Sequence, residues 1–395
     1  MNMDMPLSVL HAIQLLNDAG YEAFIVGGCV RDCLMGKEPA DWDITTSALP
    51  NQTSAVFKDY RTIDTGILHG TVTVIIDGMP LEITTYRVDG AYSDGRHPDT
   101  VTFSPSLQED LRRRDFTINA MAYHPKNGII DCFGGQSDIQ NRIIRCVGNP
   151  TERFNEDALR ILRAIRFAAV LEFNIEEETI NAIRQLSENL RNISIERITA
   201  EFKRLICADN AVSVIDEMRD VLAVFLPEIL FSNDFSLLSR VPARVPVRLA
   251  ALFLNAVISP ESVVDILKRM RFDRQTIKDV SLLLSFRMID RLTEEQYLLH
   301  LLNHLGEELI FDYLAITEAD SLTIIRTREL LRQNPCYKMS MLAVNGDDLL
   351  ALGIPAGPEI GSAMNELLNA VMNGKCINEK DALLSYLMAT KEPVQ

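Results

Sequence analysis

Hydrophobic and polar positions change their rhythm once along this chain. Up to residue 147, short apolar runs alternate with turn residues. "AFIV" (23–26), "WDITT" (42–46), "TVTVII" (71–76) and "LEITTYR" (81–87) have the length, β-branching and flanking turns of strands. "MNMDMPLSVLHAIQLLNDAG" (1–20) reads as an amphipathic helix, and "FTINAMAY" (116–123) is an apolar, helix-like run. From about residue 149 a 3.6-residue period takes over and lasts to the end, as in "EDALRILRAIRFAAVL" (156–171) and "SVVDILKRMRF" (262–272). The pattern predicts an α+β head followed by an all-helical remainder, with "GNPTERF" (148–154) as the junction. No internal repeat or low-complexity tract interrupts it.

Composition adds bounds rather than detail. The 395 residues, 47% hydrophobic and 24% charged, match a globular protein with material for two to four domains. No apolar run approaches the roughly 18 residues of a membrane span. The N-terminus lacks a basic n-region with a following h-region, so a cytoplasmic protein with no membrane association is expected. Seven scattered cysteines without a C-x-x-C pair predict neither a disulfide framework nor a zinc site. The net charge of −16 argues against binding nucleic acid, because phosphate contacts need Lys and Arg. Yet residues 140–204 hold eleven bases against ten acids and are nearly neutral inside an acidic chain. Charge leaves that question open.

Chemistry enters at "AFIVGGCVRDCLMGKEPADWDITT" (23–46). An apolar strand ends at Gly27-Gly28 and a helical pattern carrying Val30, Arg31 and Leu34 begins. Glycine permits close backbone approach, and free N–H groups at a helix start favour an anion such as phosphate. A tight structural turn would look the same. A dinucleotide fingerprint is absent, and so is a P-loop, since Gly36-Lys37 is followed by Glu38. Asp41 and Asp43 tip the balance. In a strand, residues i and i+2 share a face about 6.5 Å apart. Carboxylates that close repel unless a cation stands near them. Such hard oxygen ligands suit Mg²⁺, and two such ions can clamp both oxygens of a phosphoryl transfer.

"GGCVRD…DWD" resembles the nucleotidyltransferase signature of the DNA polymerase β superfamily. Its form is that of the class II tRNA nucleotidyltransferases, the bacterial CCA-adding enzymes and their poly(A) polymerase relatives. Cys29 stands where the family often has Ala, and Trp42 where it often has a small aliphatic residue. The resemblance implies a mixed-sheet head followed by an elongated all-α neck, body and tail. It makes Asp41 and Asp43 the Mg²⁺ ligands and places Gly28 and Arg31 among the nucleotide-binding residues. The superfamily often adds a third carboxylate from a neighbouring strand, and Glu82 is the best candidate, although it could equally be an ordinary strand-face acid.

Two further segments carry the resemblance. "EDLRRRDFTINAMAY" (109–123) matches the family's RRDFT-N-A motif, which implies that Arg114 binds the nucleotide phosphates and that Asp115 contacts the ribose, with Asn119 structural or on the sugar. A planar guanidinium suits paired phosphate oxygens. "IIDCFGG" (129–135) resembles a D-P-F-G-G turn in which Cys132 replaces proline and would loosen the turn. "RFNEDALRILRAIRF" (153–167) sets Asp157, Arg160, Arg163 and Arg166 at i, i+3 spacing, a polar stripe beside the apolar Leu159, Leu162, Ile165 and Ala169. Alone it would pass for a surface helix. As the family's E-D-x-x-R motif it implies base recognition by Asp157 and Arg160, with Glu156 holding Arg160 and with Arg163 and Arg166 facing the triphosphate. Cytosine and adenine both offer an amino donor beside a ring-nitrogen acceptor, whereas uracil and guanine offer the reverse. An acceptor-only Asp beside a donor-only Arg therefore admits C and A and rejects U and G.

"RVDGAYSDGRHPDTVTF" (87–103) is a long polar loop for a compact head. In the resembled family a flexible loop here acts as a lever in the switch from C to A, and its full length favours CCA or A addition over CC addition. Residues 209–395 show no identifiable chemistry. His300 and His304 lie at i, i+4 without a third ligand, and no His-Asp dyad of the hydrolase-bearing relatives occurs. The segment 342–374 resembles the tail of Gram-positive-type CCA-adding enzymes, and Gly357-Pro358 before a helix could offer N–H groups to an RNA phosphate. The expected division is a catalytic head (1–147), a base-reading neck (148–208), a body (209–310) and a tRNA-binding tail (311–395). The implied partners are tRNA, CTP and ATP, with no stable protein partner. The alternatives left open are an A-adding enzyme, a poly(A) polymerase of the same family, or an RNA-binding module without catalysis.

Overall fold

The computed structural model describes residues 3–63, 66–67, 70–90, 101–254, 256, 258–286 and 292–391. The chain packs as two compact units that divide after Leu230.

The first unit is built on a seven-stranded sheet. Its strands are β1 (Ala23–Val26), β2 (Asp43–Thr46), β3 (Arg61–Ile63), β4 (Thr71–Ile76), β5 (Met79–Thr85), β8 (Met121–His124) and β9 (Gly128–Asp131). Their order is β3-β4-β5-β2-β1-β8-β9. Only β2 and β5 run parallel, so the sheet is mixed as expected. Local chemistry explains the hairpin: β4 and β5 join through Asp77-Gly78, both at positive φ (51° and 80°), the Asp-Gly pairing that suits a two-residue turn. β4 alternates half-buried and buried positions along "TVTVII", whereas the central β1 is buried at all four residues. Helix α1 (Leu7–Asp18) lays Val9, Ala12, Ile13 and Leu16 on one face of this sheet, against Ile25, Ile44, Val72 and Leu81. A separate two-stranded ladder joins β6 (Arg87–Asp89) to β7 (Val101–Phe103). The intervening residues 91–100, the core of the expected lever loop, lie outside the described residues.

Two expectations need correction. The run after Asp115 is a 3₁₀ turn at Thr117–Asn119 and then strand β8, paired antiparallel to β1, not a helix. A short run buried throughout carries no period that separates strand from helix. The stretch 153–166 is likewise not one helix. Helix α6 (Pro150–Glu156) ends, Asp157 is extended at φ −145°, ψ 104°, and α7 (Leu159–Leu171) begins. The Asp157 carboxylate accepts the Leu159 amide at 3.0 Å, a local bond that competes with helix continuation.

Beyond the sheet, Asn149 caps α6 through the Thr151 and Glu152 amides, with Pro150 in the first turn. α7 is buried along almost its whole length and packs most closely on α9 (Ile195–Ile206), with α8 (Glu177–Leu186) against α6. A two-residue parallel ladder, Ile143–Ile144 with Asn174–Ile175, ties this helical layer to the end of the head. The second unit is helical among its described residues. Its longest helix, Glu294–Ile316, breaks at Gly306, which sits at φ 72°. All seven cysteines are free, and no helix among the described residues is long and apolar enough to cross a membrane.

Candidate active site

The carboxylates come from two adjacent strands. Asp43 is the first residue of β2, Asp41 lies exposed just ahead of it, and Glu82 on β5 is in register with Asp43. Only one of the two aspartates is therefore in the strand, yet all three acids interact. The Asp43 carboxyl is pushed up to about 6 by burial and by the Asp41 charge, Arg114 working against this and Glu82 adding to it. Gly27 closes the other side. It lies at φ 83°, and a Cβ there would come within 3.0 Å of Arg114 Nη1 and 4.0 Å of Asp43 Oδ2. Glycine at this turn thus keeps open the space between Arg114 and the acids. Gly28 starts α2 (Gly28–Leu34), which carries Arg31.

The arginine cluster is organised by an acid that sequence reasoning passed over. Asp110, on α4 (Leu107–Arg112), is fully buried. It accepts from Thr45 Oγ1 at 3.2 Å and pairs with Arg113 at 2.8 Å and Arg114 at 3.5 Å. Burial would raise its carboxyl, but the two arginines hold it below the usual range. The signal was present as i, i+3 and i, i+4 spacing.

Asp115 is the hub of a second network. It accepts from its neighbour's Phe116 amide at 2.8 Å and Asn119 Nδ2 at 3.3 Å, while Arg163 donates Nε at 2.8 Å. Burial alone would raise this carboxyl, yet Arg163, Arg160 and Asn119 hold it down at about 2. Asn119 in turn accepts from Arg31 Nη1 at 2.7 Å, and Arg31 also pairs with Asp32. The guanidiniums of Arg31, Arg163 and Arg166 all lie over the Phe167 ring, at 5.3, 5.3 and 4.1 Å from its centroid.

Glu156 holds Arg160 as expected, Nη1 to Oε2 at 2.6 Å, and Arg160 also donates to the Arg113 carbonyl at 3.0 Å. That bond joins the Glu156–Arg160 pair to the arginine cluster. Asp157 Oδ2 pairs with Arg197 on α9 at 2.7 Å, a partner the sequence did not announce. Arg163 and Arg166, expected to face a triphosphate, are engaged here with Asp115 and with Glu201 on α9. Arg166 Nε lies 2.9 Å from Glu201 Oε2, and burial brings the Arg166 guanidinium down to about 10 despite that acid. Arg197 and Glu201 were not legible because nothing in the sequence aligns α9 against α7.

The donor set fits a hard cation. Among the described residues no group of three or more His, Cys, Asp or Glu is placed to hold a metal ion by itself. Mg²⁺, however, is commonly held by one or two carboxylates and completes its shell with water and substrate phosphates. Asp43 is partly buried with the Asp41 and Glu82 charges near it, a crowding of like charges that a cation would relieve. The two histidines of the second unit have separate partners, Asn373 for His300 and Ser285 with the Leu282 carbonyl for His304. Gly357 and Pro358 do open a helix, Pro358–Met372.

Residues 23–145 match the poly(A) polymerase head domain, 172–231 the "Probable RNA and SrmB- binding site of polymerase A", and 247–387 the "tRNA nucleotidyltransferase domain 2 putative". The chain is 37% identical to a CCA-adding enzyme of Pediococcus pentosaceus over 380 residues, which covers 94% of this chain and 95% of that one. It is 38% identical to that of Enterococcus faecalis over 386 residues, with 95% and 93% coverage. Its fold is similar to the crystal structure of the Bacillus stearothermophilus CCA-adding enzyme in complex with CTP, at a TM-score of 0.84 and 33% identity over 98% of both chains.

Proposed function

The chain belongs to the family of CCA-adding enzymes, and from that premise we propose that it adds C, C and A to the 3′ end of tRNA. The substrates are CTP and ATP, the 3′ hydroxyl attacks the α-phosphate, and pyrophosphate leaves. The single observation that carries the reading is the Asp43 centre, where acids from two strands meet Arg114 across the Gly27 turn. Asp41 and Asp43 would hold Mg²⁺, which supplies charge neutralisation of the phosphates when bound. Arg114 binds phosphate oxygens, and Gly28 leaves room for them at the start of α2. Asp115 and Asn119 face the sugar, with Arg31 and Arg163 orienting them.

Base selection falls to Asp157 and Arg160. Both are held from behind, Asp157 by Arg197 and Arg160 by Glu156, so the pair keeps a fixed donor and acceptor pattern. A wrong match costs roughly 1–3 kcal/mol by analogy with base reading in duplexes. Residues 1–147 form the catalytic head, 148–208 the base-reading neck, 209–310 a helical body, and 311–395 a helical tail that engages tRNA in the cytoplasm.

The test is a tRNA transcript ending before CCA, supplied with each nucleotide separately and together in single-turnover reactions. Ordered C, C, A addition that then stops is the expected result. Addition of A alone would make the chain an A-adding enzyme, and a continuing A tract a poly(A) polymerase. Asp157→Ala is expected to lose preference for CTP over UTP while still requiring Mg²⁺, and unchanged preference would remove the pair from base selection.

A further inference from the structure

We propose that Phe167 is a specificity-positioning residue: its ring draws Arg31 and Arg163 together and through them fixes the polar pattern that the site presents to the ribose. The inference rests on the reading of Asp115 and Asn119 as the residues that face the sugar.

The contacts form a closed circuit. Arg31, on α2, lies 5.3 Å from the ring centroid and donates Nη1 to Asn119 Oδ1 at 2.7 Å. Asn119 Nδ2 donates to Asp115 Oδ1 at 3.3 Å. Asp115 Oδ2 accepts from Arg163 Nε at 2.8 Å, and Arg163 returns to the same ring at 5.3 Å. Phe167 closes the circuit without a hydrogen-bonding group of its own.

Charge explains why that closure matters. Arg31 and Arg163 repel each other, and Arg166, 4.1 Å from the centroid, brings a third cation to the same place. Each has an acid to one side: Asp32 for Arg31, Asp115 for Arg163 and Glu201 for Arg166. The negative face of an aromatic ring attracts guanidiniums, and more strongly away from water. Here the ring is buried at 7% exposure and packs T-shaped on Phe116, with the two planes at 83°. Phe116 follows Asp115, and its amide donates to that carboxylate, so the ring's tilt is tied to the acid. An aliphatic side chain could fill the same volume but would turn hydrocarbon toward three cations. The electron density of the ring, beyond its bulk, therefore sets where Arg31 and Arg163 stand.

Weakening that pull lets the two arginines move apart, and Asn119 and Asp115 lose the alignment that tells a ribose hydroxyl from a hydrogen. Asp157 and Arg160 lie outside the circuit, so base choice should persist. The experiment uses the full-length enzyme and a tRNA lacking CCA, with single-turnover addition of CTP, dCTP and UTP. Wild type is compared with enzyme carrying monofluoro- or trifluorophenylalanine at position 167, with Phe167→Leu and with Asn119→Ala. Fluorine withdraws density from the ring face and hardly changes the ring's size. The CTP-over-dCTP preference should fall stepwise with fluorination, by about threefold to tenfold for the trifluoro ring. The CTP-over-UTP preference should stay within about twofold of wild type. Phe167→Leu should lose at least as much ribose preference as the trifluoro ring.

If the fluorinated enzymes keep wild-type ribose preference and Asn119→Ala loses it, the ring is overturned and the sugar reading stands. If Asn119→Ala keeps the preference as well, the sugar reading falls and the proposal with it. Equal losses of ribose and base preference would reduce Phe167 to general packing and overturn the proposal. Should Phe167→Leu fail to fold, the fluorinated enzymes decide alone.

Discussion

Asp43 and Glu82 stand in register on parallel neighbouring strands, so their side chains leave the sheet on the same face. That relationship brings the third carboxylate to the other two. Glu82→Gln keeps the shape and removes the charge. The kcat for addition of one C should fall about tenfold or more while the KM for CTP stays within about twofold. An unchanged kcat would reduce Glu82 to a strand-face acid.

Asp43→Asn is expected to cost at least about 10²–10³-fold in rate, the scale of losing one electrostatic stabiliser of the transition state. Chelation of divalent cations should abolish incorporation by the wild type, and added Mg²⁺ should restore it. Incorporation that survives chelation would exclude the cation from the reaction.

The two glycines after Phe133 are not equivalent. A Cβ on Gly135 would lie 2.3 Å from the Thr117 carbonyl oxygen and 2.9 Å from Met121, whereas one on Gly134, at φ 79°, meets nothing within 4 Å. Gly135→Ala should cost about 1–3 kcal/mol or more by overpacking, and Gly134→Ala only about 1 kcal/mol of backbone strain. Trp42, the single tryptophan, is buried in the first unit, so the urea midpoint of its fluorescence reads both. Equal midpoints would contradict the packing.

Asp115 links stability to acid. Its carboxyl is held at about 2, below its unfolded value of about 3.9, so it stabilises the fold at neutral pH and loses that contribution as pH falls through 4 to 2. The contribution is about 2–3 kcal/mol, fully present above about pH 5. Wild type should exceed Asp115→Asn in Trp42-monitored stability at pH 7, and the gap should close toward pH 2. A gap independent of pH would mean that Arg163 does not hold the charge.

Much of the fold was legible because it is written locally. The runs at 23–26, 42–46, 71–76 and 81–87 are strands β1, β2 and β4 and the body of β5, since turn residues and β-branching mark their ends. The run 116–123 was misread because burial on every side erases the period that separates strand from helix. In the site, Glu156 and Arg160 are four residues apart and pair across the break between α6 and α7, a separation that spacing can show.

The sequence by itself determined the chemical types present: acids for a cation, arginines for phosphate, an acceptor and a donor for a base. Tertiary structure decided who holds whom. Thr45 on Asp110, Asp115 against Arg163 and Arg197 behind Asp157 join elements by paths that the chain's order does not encode. A side chain's partner across the fold depends on how sheet and helices pack, and packing is a collective result of the whole core rather than of any motif.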